Sequence, residues 1–550
     1  MSAFRVLLVY PSLYMQTGFP LAIACLAGML KAHDIQVKVF APYRYKMEGD
    51  FDQNELRSDT LKSTIPVDYS KKGVTPLDPE VKVTEDLTAL IKNFQPNLVG
   101  MSAVESVFGR GVELMEHAKT VTDVPTIAGG VFPTLAPEVA IQEQSLDMIC
   151  VGEGESALLE LCQRMMAGET YDDVEGLWVK TADGVVQNKR RLENLETLPP
   201  PDFSVIDDGM LLRPMRGNLF RTIPVEFSRG CPYKCSFCAE PKLEEIFEKQ
   251  NDTGFFRKRS IKHILESLKR DLALYSPEFF YFNSETFLAM SNREFDEFIE
   301  GYKDIRIPFW IQTRPETLRR HYIERLKEVG MYWLSVGVEH GDQDFRRDVV
   351  RRGTKDDVIY EVFQLLDECE QGASANMILG FPFETKDLVY QTIKFSREVV
   401  RINPRSRLTI SAFAPFRGCE LYDVAAENGF LDPSIPYISE TNLSKPGILK
   451  LPELSELELE GLYRTFPLYV HFPDEFQALV RMAEEFTPEG DKIYKKLSSM
   501  FDGFINRPLE EQRHVKSLKE TDGCLVALMT EGERERLGIR SVTVDELFAS

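Results

Sequence analysis

The sequence predicts an α/β protein in three parts: a doubly wound N-terminal domain, a partial (β/α)6 barrel and a helical C-terminal region. Two separate rounds of strand–helix alternation, in residues 1–170 and 206–420, predict the first two parts. A turn to helical, acidic sequence from about Leu421 predicts the third, residues 421–550. The chain has 550 residues, more than one domain needs, and at 43% hydrophobic and 28% charged it can bury large cores.

In the first part the strand candidates are Arg5–Tyr10, Gln36–Phe40, Leu98–Ala103, Val124–Ala128 and Asp147–Val151. They are too apolar to be half exposed, as strands buried on both faces are. Helical stripes lie between them, with Phe19, Ile23, Leu26 and Leu30 on one and Leu87, Leu90, Ile91 and Phe94 on another. An open sheet of this kind binds ligands beyond the carboxyl ends of its strands. The candidates there are Pro11 and Ser12 after the first strand, Gly129, Gly130 and Thr134 after the fourth, and Gly152, Glu153 and Gly154 after the fifth. Glycines at such turns let a backbone come close to a ligand, although they are also common for structural reasons alone.

Residues 171–205 read as a linker. Gly176-Leu-Trp-Val and Gly184-Val-Val suggest a small hairpin, and Leu198-Pro-Pro-Pro-Asp202 cannot continue a helix. The barrel strands are expected at Ile223–Phe227, Phe279–Asn283, Pro308–Thr313, Tyr332–Gly337, Ser374–Leu379 and Arg407–Phe413. In barrels, chemistry gathers on the loops at the C-terminal strand ends. In the last part Leu451–Leu462 and Phe476–Glu485 are helical, with breaks at Pro436-Tyr437 and Tyr463–Val470. This part reads as a cap over the open side of the barrel or as a lid that selects substrate.

The chemistry lies in the loop after the first barrel strand, Ser-Arg-Gly-Cys231-Pro-Tyr-Lys-Cys235-Ser-Phe-Cys238. Three thiolates within eight residues make a soft-metal site. A structural zinc site wants four closed ligands, and the next candidates, Cys369 and His263, are far away. Three ligands suit a cubane iron–sulfur cluster with one iron open to an outside ligand. A zinc knuckle completed from afar, or a chance clustering, are the alternatives.

A net charge of −22 argues against a nucleic-acid surface. The basic runs Lys189–Arg191, Arg346-Arg347 and Arg351-Arg352 read by default as solvated faces, with a local basic pocket left open. The stretch Phe19–Leu30 is too short to span a bilayer, and no signal-peptide pattern opens the chain. Cys25, Cys150, Cys162, Cys369, Cys419 and Cys524 are scattered singly, as small buried residues rather than a disulfide framework. A reducing cytoplasm is the compartment expected.

The spacing of the three cysteines resembles the radical S-adenosylmethionine (radical SAM) superfamily. Phe280–Phe287, Ser335–Gly341, Asn376–Thr385 and Ala414–Gly418 resemble successive strand ends of its barrel, in the family's order. The glycine turns, with Gly18–Ala27, resemble the Rossmann-like cobalamin-binding domain that precedes many such barrels. The resemblance implies three cofactors: a 4Fe–4S cluster on Cys231, Cys235 and Cys238, SAM on its open iron, and cobalamin. It implies Phe237 near the adenine, Glu339 and Glu285 near the SAM amino or ribose groups, and Arg314 on the SAM carboxylate. Glu285 replaces a frequent aspartate; Arg314 has Glu316 as an alternative partner, and Glu339 has a plain surface role as its alternative. Asn376 and Gly380 would shape the adenine side.

The Asp-x-His-x-x-Gly pattern that supplies an imidazole to cobalt is missing, so cobalt is expected to lack that ligand. Cleavage of SAM after one-electron reduction would give a 5′-deoxyadenosyl radical, and methyl transfer to an unactivated carbon or phosphorus is the reaction implied. Partners would be a small-molecule, lipid or peptide substrate and an electron donor such as flavodoxin or ferredoxin, with no nucleic acid and no membrane span. A rearrangement, oxidation or cyclisation without methylation is the alternative, and a non-enzymatic cobalamin or iron sensor is the remote one.

Overall fold

The structure is a computed structural model that describes residues 3–15, 20–47, 50, 62, 65–78, 81–248, 254–439, 446–472 and 474–505. Gly18, Phe19, Cys524 and the last 45 residues of the expected C-terminal part (506–550) lie outside the described residues.

Five parallel strands form the N-terminal sheet: β1 (Arg5–Val9), β2 (Gln36–Phe40), β3 (Leu98–Ser102), β4 (Thr126–Gly129) and β5 (Met148–Cys150). Their spatial order is β2-β1-β3-β4-β5, so the winding reverses between β1 and β3. Helices Leu21–Lys31 and Glu155–Ala167 pack on one face, burying Ile23, Ala24, Leu158 and Leu161 against Val6, Leu8 and Met148. Helices Val83–Phe94 and Glu105–Val121 pack on the other, against Leu7, Val9, Val99 and Ile149. The expectation that every strand is buried on both faces fails at β2. It is the sheet edge, paired on one side only, and Gln36 and Lys38 are exposed there.

The hairpin expected in the linker is present as β6 (Leu177–Thr181) and β7 (Gly184–Gln187). It does not stand apart: β6 pairs antiparallel with β5 and extends the same sheet to seven strands. The proline run then lies across helix Leu21–Lys31. Asp202 N donates to Ala24 O at 2.9 Å, and a Cβ on Gly28 would sit 2.3 Å from the Pro200 carbonyl oxygen.

The second sheet curls. Its strands are β8 (Leu212–Met215), β9 (Asn218–Glu226), β12 (Phe279–Asn283), β13 (Phe309–Thr313), β14 (Met331–Glu339), β15 (Ala373–Leu379) and β16 (Arg407–Ala412). Their order across the sheet is β16-β15-β14-β13-β12-β9-β8. All but β8 run parallel. β8 is an addition to the expected six; it returns on β9 through Arg216-Gly217, both with positive φ, as a two-residue hairpin turn demands. Between β9 and β12 a short ribbon pairs β10 (Ser228–Arg229) with β11 (Arg257–Lys258). Phe227, Phe282, Phe287, Phe298 and Phe309 are fully buried behind these strands and meet largely edge to face.

Helix Glu456–His471 opens with a Ser455/Glu458 capping box and packs along helix Lys386–Ile402 and the edge strand β16. The break expected over Tyr463–Val470 does not occur: Pro467 lies inside this helix. An interior proline costs about 3 kcal/mol, but Leu462, Phe466, Leu468, Tyr469 and Val470 are all buried around it. Burial of roughly 1.5–3 kcal/mol per large apolar side chain outweighs that cost. Arg397 Nη1 ties the helix end to the barrel by donating to Tyr469 O and Phe472 O at 2.5 and 2.8 Å. No described helix is long and apolar enough to cross a membrane.

Candidate active site

The loop that carries the three cysteines leaves β9 at the carboxyl end of the curled sheet. Gly230 makes the departure possible. Its φ is +86°, and a Cβ there would lie 2.9 Å from Phe256 Cα and 3.0 Å from Phe255 O. Further on the loop is held by backbone: Ser236 N donates to Val350 O at 3.3 Å, Ser236 Oγ to Val349 O at 2.5 Å, and Leu421 N to Ser236 O at 3.1 Å. Cys235 is buried, and Cys231 and Cys238 are half-buried.

The surroundings are charged. Arg314 Nη1 donates to Cys235 Sγ at 3.3 Å, and Arg352 Nε to the same sulfur at 3.4 Å. Arg314 also binds Glu316 at 2.5 Å and lies 4.0 Å over the Tyr233 ring. The Glu316 partner that the sequence offered for Arg314 is therefore realised. Arg352 pairs with Glu339 at 3.2 Å and donates to the Gly337 carbonyl. Thr286 Oγ1 is 3.9 Å from Cys231 Sγ. Burial pushes the Cys231 and Cys238 thiols up, so a metal that takes them must displace protons. Among the described residues no three His, Cys, Asp or Glu side chains gather around a point that one metal ion could occupy. A cubane, by contrast, gives each thiolate its own iron.

Glu339 is buried, not a surface carboxylate, and it ends β14 at φ +75°, an uncommon conformation for a non-glycine residue. Burial raises its pKa, opposed by Arg352 and then Arg314. Glu285 is open to water yet ringed by protein, as a carboxylate on the wall of a concavity is, and desolvation pushes its pKa up. Glu240, two residues after Cys238, is pushed up to about 7 by burial and by the Glu285 charge. Phe237 meets Phe381 at 6.1 Å. Asn376 is half-buried on β15, and Gly380 follows that strand at φ +88° with Leu459 of the cap helix above it. Glu384 accepts from the N–H groups of Gly380 and Phe381 and fixes this turn.

The carboxyl end of the N-terminal sheet faces the same region. A cavity of about 380 Å³ lies between the two sheets. Gly129, Gly130, Gly152, Glu153 and Gly154 border it from one side, and Glu226, Arg229 and Asn283 from the other. Its remaining wall is largely apolar, with Leu8, Leu21, Leu26, Ile127 and Leu158, as ligand cavities usually are. Gly130 is a cradle only glycine can make: φ is +104°, and a Cβ would lie 2.6 Å from Ala103 O. Thr134 is not on the wall; it braces the cradle, donating to Gly130 O at 2.8 Å and accepting from Gly152 N at 3.0 Å. Pro11 and Ser12 also stand back from the wall, and Ser12 Oγ is buried without a partner among the described residues. A cradle of bare backbone with an apolar wall fits a large flat cofactor, and among the described residues no histidine lines it.

Between the two sites lies a buried ionic cluster. Arg229 contacts Glu153, Glu155 and Glu226 at 3.2, 2.5 and 2.8 Å; Arg257 takes Glu153 at 2.6 Å, and Arg259 takes Glu226 at 2.7 Å. Burial raises the pKa of Glu153, but Arg257 and Arg229 outweigh it, so the net shift is downward. Glu153 is thus engaged with cations at the domain junction. Sequence reasoning gave Arg229 no role and placed Arg352 only in a basic run, with a local basic pocket left open. Arg352 meets its sulfur 117 residues away in the chain, so spacing gave no signal. The default of a solvated face for the basic runs fails at Arg346 and Arg352, which point inward: Arg346 is fully buried and donates to His340 O and Thr354 O. Cys25, Cys150, Cys162 and Cys419 are buried as expected, whereas Cys369 is only half-buried, at the end of helix Asp356–Glu368.

A cysteine-rich loop at the mouth of a partial barrel, facing the glycine turns of a doubly wound sheet, defines a class of enzyme with two cofactor domains. Residues 225–396 match the radical SAM superfamily model, and residues 68–162 match the B12 binding domain model. The chain thus carries a radical SAM domain and a B12 binding domain, and the cofactors that go with them are a 4Fe–4S cluster, SAM and cobalamin. Among curated proteins it is 25% identical to the uncharacterized methyltransferase PH0819 of Pyrococcus horikoshii, over 63% of this chain and 73% of that protein. It is 24% identical to the anaerobic magnesium-protoporphyrin IX monomethyl ester cyclase of Rubrivivax gelatinosus, over 70% and 68%. It is 21% identical to the cytidylyl-2-hydroxyethylphosphonate methyltransferase of Streptomyces wedmorensis, over 82% and 86%. The fold is that of the radical SAM methyltransferase TsrM from Kitasatospora setae (TM-score 0.59, 15% identity, 94% of this chain and 100% of that one). It is also that of the cobalamin-dependent radical enzyme OxsB (TM-score 0.60, 14% identity, 100% and 83%).

Proposed function

We propose that the protein is a methyltransferase that adds a methyl group to an unactivated carbon of its substrate, with phosphorus as the alternative acceptor. One observation carries this reading: a single cavity is bordered by the carboxyl ends of both sheets. Both folds present ligands at that end, so a substrate between them can approach both cofactors. When bound, the cluster with SAM supplies a radical that abstracts hydrogen, and the corrinoid supplies a transferable methyl group.

The chain's own residues bind, orient and exclude water. Cys231, Cys235 and Cys238 are the cluster ligands. Phe237, Glu285, Arg314, Glu339, Asn376 and Gly380 line the SAM side, and Gly129, Gly130, Gly152 and Gly154 let the corrinoid lie against bare backbone. The apolar wall keeps water from the reacting carbon, and among the described residues no histidine stands where it could ligate cobalt. The substrate is a small molecule, lipid or peptide group, and the electron comes from a flavodoxin or ferredoxin. Helix Glu456–His471, which overhangs Gly380, closes the barrel and narrows its mouth.

The names of the relatives support both methylation and a second reading, because the magnesium-protoporphyrin ester protein is named a cyclase. Methyl-labelled SAM, fed with a cell extract to the reconstituted enzyme, separates the two. Methylation gives S-adenosylhomocysteine and 5′-deoxyadenosine in near-equal amounts, with one labelled methyl in the product by mass spectrometry. Deoxyadenosine formed with substrate consumed, but no label transferred, supports the cyclising or oxidising alternative.

A further inference from the structure

Two guanidinium groups reach the cysteine loop, and both end on one sulfur. Arg314 Nη1 and Arg352 Nε lie 3.3 and 3.4 Å from Cys235 Sγ. Neither is a loose surface side chain. Arg314 is buried, gripped by Glu316 and stacked on Tyr233, and Glu316 is itself held by Thr354 Oγ1 at 2.9 Å. Arg352 is pinned by Glu339 and by the Gly337 carbonyl. Among the described residues, Cys231 meets a neutral hydroxyl, Thr286, and no guanidinium is bonded to the Cys238 sulfur. Cys235 is also the one buried cysteine of the three.

We propose that Arg314 and Arg352 tune the cluster electronically: donating together to the Cys235 thiolate, they raise its reduction potential and make reduction by a protein electron donor feasible. This rests on the assignment of Cys235 as a cluster ligand and not on the methylation reading. Reduction adds one electron, and so one negative charge, to the cluster; the donor protein loses that electron. No proton moves, because arginine stays protonated. Fixed cations and hydrogen-bond donors at a cluster sulfur, in a site sheltered from water, favour the more negative state. Charge-assisted donors are the stronger kind. Glu316 and Glu339 hold the guanidiniums in place and partly offset their charge, which keeps the potential low enough for the reduced cluster to remain a strong reductant.

The test uses the full-length, anaerobically reconstituted protein, poised at a series of potentials with titanium(III) citrate and read by electron paramagnetic resonance. At a fixed potential, R352Q is expected to lower the ratio of reduced to oxidised cluster about tenfold, equivalent to 59 mV for one electron. R352K keeps the charge but loses the planar donor, and its ratio should fall between native and R352Q. R314Q should shift in the same direction. An unchanged ratio in R352Q that holds its full iron would overturn the proposal. If the variants lose iron, native protein labelled with 15N-guanidino arginine provides the second test. Pulsed resonance of its reduced cluster should show a 15N coupling, and absence of that coupling overturns the proposal as well. Failure of the cluster assignment looks different: native protein then gives no reduced-cluster signal at all.

Discussion

Gly130 and Gly168 both have positive φ, yet they bear different burdens. Gly168 caps a helix at φ +68° with nothing within 4 Å of where a Cβ would be. An alanine there meets only the backbone preference, roughly 1 kcal/mol. Gly130 has φ +104° and ψ −168°, a region open essentially to glycine, and its missing Cβ is where the Ala103 carbonyl lies. We expect G130A to cost about 3 kcal/mol or more, seen as a clearly lower thermal midpoint than in G168A and as loss of bound corrinoid. Equal midpoints for the two variants would remove the close backbone approach as the reason for this glycine.

At the scale of elements, the helix Glu456–His471 ends on a histidine buried beside Arg407 and Arg397. Burial, then the charge of those two arginines, drives the His471 pKa down to about 3. The folded state holds this imidazole neutral, while the unfolded chain takes a proton below about pH 6.5. The contribution is therefore complete above pH 6.5 and is lost as pH falls toward 3. Thermal midpoints measured from pH 7.5 to 5 should fall in native protein by more than in H471L; parallel curves would show that His471 does not titrate on unfolding.

The same helix shows where pattern reading stops. Pro467 signals a break by local rules, and only tertiary burial, invisible in a window of sequence, overrides it. The opposite holds for the barrel strands: Phe279–Asn283 and Ala373–Leu379 are apolar runs bounded by turn residues, so their place was legible. β8 was not, because Arg213 and Pro214 dilute its pattern and its partner supplies the pairing. The cysteine loop was legible because its ligands are close in sequence. The roles of Arg229 and Arg352 were not, because Glu153 and Glu155 for the one, and Glu339, the Gly337 carbonyl and the Cys235 thiol for the other, are brought near only by the fold.

For the whole molecule, the two sheets are joined by ion pairs as well as by apolar contact. Arg229 stands two residues before Cys231 and reaches across to Glu153, in the glycine turn, and Glu155, at the start of the helix that follows, both bordering the cavity. Removing one partner of a buried ion pair typically costs 3–5 kcal/mol, because the other is left charged and alone. R229Q should lose about that much, and Glu155, which pairs with Arg229 at 2.5 Å, should account for much of it. The double variant R229Q/E155Q should recover part of the loss, giving a coupling of at least about 1 kcal/mol; additive effects in calorimetry would dissolve the link. The proline run across Gly28 has a consequence of its own. By composition it resembles a spacer, the place where a protease would nick the chain or a cloner would divide the gene. Here it is a seam. Its Pro200 carbonyl fills the groove over Gly28, and the Asp202 N–H is bonded to Ala24. Limited digestion should leave this stretch uncut, and two separately expressed halves would each carry a raw surface in place of it.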